Sequence, residues 1–146
     1  MKLRELHEED LLELLDLYQH LHRNDEPLPN EEVVQKVWKR IQNNDGFLCI
    51  GGFVDENLVC SACLVTIDNL TRGCRPYALI ENVVTHGSYR RKGFGQKVLQ
   101  HCLNEAWSRN CYKVMLLTGR KDEGVYQFYE SVGFNRHSKQ AFIAKN

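Results

Sequence analysis

Apolar residues recur at helical spacing early in the chain and at strand spacing in its middle. Leu3 to Leu6 predicts a short first strand. Leu11, Leu14, Leu15, Tyr18 and Leu21 then follow three and four apart, behind Glu8, Glu9 and Asp10, acids that suit a helix's first turn. Asn24 to Pro29 breaks this helix, and Asn30 is placed to cap a second one carrying Val33, Val34, Val37, Trp38 and Ile41. Asn43-Asn44-Asp45-Gly46 ends it. Phe47 to Val54 and Leu58 to Ile67 are apolar, β-branched runs joined by Asp55-Glu56-Asn57, a hairpin signal, and Tyr77 to Thr85 is a further strand. The second half predicts a helix from Gly95 to Arg109, with Val98, Leu99, Cys102, Leu103 and Ala106 on one face. Lys113 to Leu117 reads as a short buried strand, Gly124 to Val132 as a helix, and Gln140 to Ala144 as a closing strand. The order β-α-α-β-β-β-α-β-α-β is an α/β layout, with hairpins first and a crossover later.

Composition narrows the class. A chain of 146 residues, 42% hydrophobic and 26% charged, is expected to form one domain over residues 1–146 with a core of its own. The longest uncharged stretch, Asn57 to Ile67, is too short to cross a bilayer, and the N-terminus turns acidic where a signal peptide needs its apolar core. A cytoplasmic protein without membrane association is expected. Of the six cysteines only Cys60 and Cys63 have ligand-like spacing, and on a strand positions three apart face opposite ways. The scattered histidines complete no ligand set, so no metal is expected and the thiols read as reduced and mostly buried.

Zero net charge hides a split. Residues 1–50 carry six Lys and Arg against eleven Asp and Glu, and residues 51–146 carry thirteen against eight. A neutral chain with no basic stripe is a poor nucleic-acid binder. The split lets a polyanion sit on the second half and a cation near the first.

The sharpest chemistry lies in Arg90-Arg91-Lys92-Gly93-Phe94-Gly95-Gln96, between a strand and a helix. Glycines there allow close backbone approach, free amides at a helix start bind phosphate, and three cations add charge. The loop lacks both the Gly-Lys-Ser/Thr of a nucleotide P-loop and the three-glycine spacing of a dinucleotide site. Ile80-Glu81-Asn82-Val83-Val84-Thr85 precedes it, and Phe128-Tyr129-Glu130-Ser131-Val132-Gly133-Phe134 follows.

With its flanks, the Arg-x-x-Gly-x-Gly loop resembles the GNAT superfamily of acetyl-CoA-dependent N-acetyltransferases, over essentially the whole chain and most strongly over residues 78–134. The resemblance implies an α/β acyl-CoA N-acyltransferase fold. Its central sheet is mixed and mostly antiparallel, flanked by about four helices, with a splay after the fourth strand. It implies acetyl-CoA as co-substrate, with Val83, Val84 and Thr85 pairing with the pantetheine arm. The amides of Arg91 to Gln96, through Lys92, Gly93, Phe94 and Gly95, would hold the pyrophosphate with the Arg90 and Arg91 side chains nearby. Asp122 stands where the family often has an Asn that reaches the pantetheine; a carboxylate can accept from that amide but cannot donate.

Tyr129 matches the residue that protonates the departing thiolate, a transfer uphill by only about two pKa units in water. Tyr126, one turn earlier, is the fallback. Glu81 is the candidate base for the incoming ammonium. In a regular strand it shares a face with Val83, and isolation among apolar neighbours raises a carboxyl's pKa; the competing role is an ion pair with Arg75 or Arg120. His86, just past the strand, is a further candidate for substrate contact. The acceptor implied is the primary amine of a small, cationic molecule, met by Asp25 and Glu26 in the interhelical break, with Glu13 and Asp16 left to solvent. A peptide or protein acetyltransferase and a non-catalytic acyl-CoA-binding module are the alternatives. A homodimer is compatible with either.

Overall fold

The computed structural model describes residues 1–22 and 24–146. Strand β1 (Lys2–Glu5) leads through a single 3-10 turn, Glu8–Asp10, into helix α1 (Leu11–Tyr18). Helix α2 (Glu31–Gln42) starts where Asn30 Oδ1 accepts the Val33 amide at 3.0 Å, the capping role its position predicts. β2 (Phe47–Val54) and β3 (Asn57–Ile67) form a hairpin whose two turn residues, Asp55 and Glu56, have φ of 48° and 68°. Two consecutive left-handed residues make the turn whose twist suits flanking strands, so β3 begins one residue earlier than its hydrophobic run. β4 (Tyr77–Thr85), α3 (Phe94–Ser108), β5 (Val114–Leu116) and α4 (Glu123–Glu130) complete the order.

The strands lie in one sheet in the order β1-β2-β3-β4-β5. All neighbours are antiparallel except β4 and β5, which α3 joins as a parallel crossover. This is the mixed, mostly antiparallel α/β sheet that the family resemblance implies. Both faces are covered. Ile50, Leu64, Ile80, Val98, Leu99 and Cys102 form a core against α3. Leu11, Leu14, Leu17, Trp38, Cys63 and Val84 form the other, against α1 and α2. Cys60 and Cys63 divide between the two cores, as strand alternation requires.

A partly buried ion pair fixes the approach of α1 to the sheet. The Arg4 guanidinium donates to both carboxylate oxygens of Asp10 at 2.6 and 2.7 Å, and the His7 amide donates to the same group at 2.8 Å. The Arg4 hydrogen bond pulls the Asp10 pKa down against the opposing effect of burial. Its stabilisation is therefore present above the ordinary carboxyl range and lost as pH falls through the lowered value. Asp10→Asn is expected to cost about 2 kcal/mol at pH 7, less than for a fully buried pair because Arg4 stays partly exposed. Thermal melts check this, and the gap from the parent should close as pH falls.

Three expectations need correction. Leu17, absent from the predicted face of the first helix, is buried, whereas Val33 and Val37 of the second are 43% and 39% exposed. β5 is only half-buried, being the edge strand of the sheet, with no strand paired beyond it among the described residues. The closing strand over Gln140 to Ala144 does not form, and Phe142 is 91% exposed. Its cause lies just upstream. Arg136 binds Glu123 and Glu130 at 2.8 and 2.7 Å and lies over the Tyr126 ring, which holds the chain against α4 after Phe134 instead of returning it to β5.

Candidate active site

The parallel pairing of β4 with β5 ends at Ile80 and Leu116, while β4 runs on to Thr85. Beyond Ile80 the sheet therefore splits, and a cleft of about 1250 Å³ opens there. It is walled by β4, the head of α3, α4 and the chain after α1.

β4 is irregular at the split. Cys63 pairs with Glu81 and Ser61 with Val84, so β4 carries one extra residue, and Asn82 sits there at φ 53°. The bulge reverses the alternation. Val83 packs toward α3, whereas Val84 belongs to the core under α1. Glu81, opposite Cys63 of that same core, thus shares a face with Val84 and not with Val83, contrary to the regular-strand expectation. The ladder also sorts the amides. His86 donates to the Val59 carbonyl at 2.9 Å, and two residues back Val84 opposes Ser61 in the same bonded phase. Val84 thus turns its own amide to β3, and Val83 and Thr85 present theirs to the open edge.

Arg91 and Gly93 are left-handed, at φ 59° and 77°, and α3 starts immediately after with no side-chain cap. Alternating left- and right-handed residues ahead of a helix turn successive N–H groups into one concavity, an anion-binding nest. The first-turn amides of α3 have no intrahelical partner by geometry. Arg91, Gly93, Phe94, Gly95 and Gln96 all line the cleft. The two flanking cations are placed differently. Arg90 donates to the carbonyls of Thr85 and His20, at 3.1 and 2.9 Å, as a strut between β4 and α1. Lys92 lies over the Tyr89 ring and is not part of the wall.

Across the cleft, Tyr129 lines the wall and Tyr126 does not. Burial pushes the Tyr129 phenol up; the nearby Arg120 opposes this and Glu81 adds to it. The mutual influence brings Glu81, Tyr129 and Arg120 into one neighbourhood. Glu81 is exposed on the wall rather than enclosed by its strand. Arg75 is engaged elsewhere, donating to the carbonyls of Asn110 and Cys111. Asp122 caps α4, its carboxylate accepting from the Val125 amide at 3.0 Å, and lies outside the cleft wall.

The acidic loop also falls differently. Asn24 reaches the cleft, whereas Asp25 and Glu26 are exposed and off its wall. Glu13, expected in solvent, accepts the Leu58 amide at 3.0 Å. The His86 ring packs at a tilt against His20 with centroids 4.1 Å apart, and it is His20 that lines the cleft. Burial first, then His86 and Arg90, lowers the His20 pKa, which favours a neutral ring accepting from the Gly87 amide. Sequence reading missed His20, Thr118 and Phe128 as wall residues. His20 and Thr118 lie in no motif, and Phe128 stands in the Phe128 to Phe134 segment without a role assigned to it; tertiary packing at the split brings the three together. No cysteine lines the cleft among the described residues, and burial pushes the Cys60 and Cys102 thiols up to about 12. Among those residues no group of three or more metal-ligating side chains is gathered, and no helix is long and apolar enough to cross a membrane.

A sheet that splits beside its fourth strand, with an amide nest at the head of the crossover helix, defines the class of GNAT-fold acyltransferases. The chain belongs to the acetyltransferase (GNAT) family, whose model matches residues 9–134, and it is an N-acetyltransferase. It is 32% identical over 140 residues to a protein of Trypanosoma brucei brucei named glucosamine 6-phosphate N-acetyltransferase, covering 96% of this chain and 92% of that one. Among solved structures it resembles a putative acetyltransferase from Agrobacterium tumefaciens str. C58, with TM-score 0.92 and 40% identity over 99% of this chain and 100% of that one. A Trypanosoma brucei acetyltransferase superposes with TM-score 0.80 at 30% identity, over 99% of each chain.

Proposed function

We propose that the chain transfers the acetyl group of acetyl-CoA to the primary amine of a small molecule, by direct attack with both substrates in the cleft. The observation that carries this is the meeting, at one split in the sheet, of an open strand edge, a phosphate-type nest and a half-buried phenol. The open-edge amide of Thr85 suits the pantetheine arm, and the Arg91 to Gln96 amides suit the pyrophosphate. Glu81 takes the proton of the incoming ammonium, and the N–C bond forms. The Val83 amide stabilises the oxyanion by the logic of preorganised donors. As the C–S bond breaks, Tyr129 gives its proton to the thiolate. With no thiol on the cleft wall among the described residues, the amine itself and not a cysteine attacks the thioester. The enzyme works in the cytoplasm, where acetyl-CoA is supplied.

The acceptor binds as a cation through its own ammonium at Glu81, not through Asp25 and Glu26. A second reading, an amino-sugar phosphate, has two supports. The 32% identical relative is named for glucosamine 6-phosphate, and Arg91 and Arg120 lie on the cleft wall. Thiol release from acetyl-CoA, tested with glucosamine 6-phosphate, a polyamine, a peptide amine and a neutral amino-acid amide, decides the acceptor. CoA at a hundredfold excess over its Kd should stabilise the protein by about 2.7 kcal/mol. Absence of any melting shift with saturating CoA overturns the reading, and binding without turnover for any amine favours a non-catalytic module.

A further inference from the structure

A second cavity, of about 270 Å³, lies on the α1–α2 side of the sheet. Leu14 and Tyr18 of α1, Val34 and Trp38 of α2, and Cys49 and Cys63 of the sheet form much of its wall. No charged side chain lines it among the described residues. Its wall carries few polar atoms, and of these the buried Trp38 indole N–H has no partner. The Cys49 and Cys63 sulfurs are 3.0 Å apart, and the Tyr18 hydroxyl is 3.5 Å from Cys63. Burial pushes the Tyr18 phenol up, and the bond to Cys63 together with burial does the same for Cys49, so both stay protonated.

The cavity adjoins the cleft at Asn82, which lines both. Cys63 on its floor stands directly opposite Glu81 in the ladder. At the lining's outer side Leu28 and Val37 are 58% and 39% exposed, apolar surface that a bound molecule would cover. An ammonium, a phosphate or a ring of hydroxyls would lose water here for too few partners, the Trp38 indole N–H and Asn82 apart, at a cost of kilocalories per unpaired group. An apolar body instead gains from leaving water. The volume exceeds the roughly 150 Å³ apolar cavity that accepts benzene, leaving room for a ring and a short linker.

The geometry points to a pocket for the acceptor's side chain: the substrate is a primary amine on an apolar body, of the arylalkylamine class. Its ring lies between α1 and α2, and its amine passes Asn82 to reach Glu81. This rests on the acetyl-transfer reading above and adds the part of the acceptor that the cleft itself does not select.

The test compares 2-phenylethylamine, ethylamine and glucosamine 6-phosphate at saturating acetyl-CoA, in the parent and in Val34→Phe and Val37→Phe. kcat/KM for 2-phenylethylamine should exceed that for ethylamine about tenfold or more, the scale of burying an aromatic group. Each variant should raise KM for the aryl amine about tenfold and leave ethylamine within about twofold, since only the pocket is filled. Val37 is exposed, so its variant carries little folding cost. Equal efficiency for the two alkylamines, or equal losses for both in the variants, makes the cavity a packing gap and overturns the proposal. Turnover of glucosamine 6-phosphate alone overturns the pocket while the acetyl-transfer reading stands. Turnover of none of these three overturns the pocket, and the acetyl-transfer reading falls as well only when the polyamine, the peptide amine and the amino-acid amide also give no thiol release.

Discussion

Tyr129→Phe is expected to lower kcat about a hundredfold or more while leaving acetyl-CoA affinity nearly unchanged, the signature of a lost general acid. The phenol lines the split, near Glu81 and Arg120, and its ring is held between Phe128 and Phe134 at centroid distances of 5.0 and 6.3 Å. Phenylalanine keeps those ring contacts, so a loss of turnover reports the hydroxyl. The pH profile adds a check with a definite sign. Burial raises the Tyr129 pKa, so the protonated form persists beyond the ordinary phenol range. At saturating amine the parent's kcat should hold through about pH 9 and fall only above about 10, and the variant should lack that alkaline fall. Unchanged turnover at pH 7 removes Tyr129 from the mechanism.

The second large effect concerns the head of α3. Gly95→Val should raise the Kd for acetyl-CoA at least about tenfold and lower the melting temperature, since overpacking costs typically about 1–3 kcal/mol. A Cβ on Gly95 would stand 3.1 Å from the Phe128 ring and 3.2 Å from Thr85 Oγ1. It would press β4, α3 and α4 apart where they meet. Gly93 fails for another reason. Space around it is open, with Gln96 Oε1 at 3.7 Å the nearest atom, but its φ of 77° disfavours any side chain. Gly93→Ala should therefore cost about 1 kcal/mol through loop strain and weaken CoA binding less than the Gly95 substitution. Titration calorimetry with CoA gives both values. Equal affinities in parent and Gly95→Val would remove the α3 head from the cofactor site.

Much of the architecture was legible because local rules agreed with the global fold. Asn30 caps α2, Asp55 and Glu56 turn the first hairpin, and Phe47–Val54 and Tyr77–Thr85 form strands with the predicted bounds. Such features depend on residues only a few positions apart. The loop from Arg90 to Gln96 was legible for the same reason, since glycine spacing and a helix start are local. Gln140 to Ala144 misled because an apolar run has strand propensity whether or not an edge is available, and Arg136 bound to α4 decides where that run goes.

What sequence alone determined is the family and the order of elements from β1 to α4. Tertiary structure decided the rest of the site. The bulge at Asn82 turned Glu81 to the α1 face and put Val83 on the other; one inserted residue reverses a period-two pattern that no spacing rule foresees. Arg90 became a strut, Asp122 a cap, and Asp25 and Glu26 stayed outside the cleft while His20 entered it. A charged or polar side chain takes the partner that folding brings within about 3 Å, and that partner commonly lies tens of residues away.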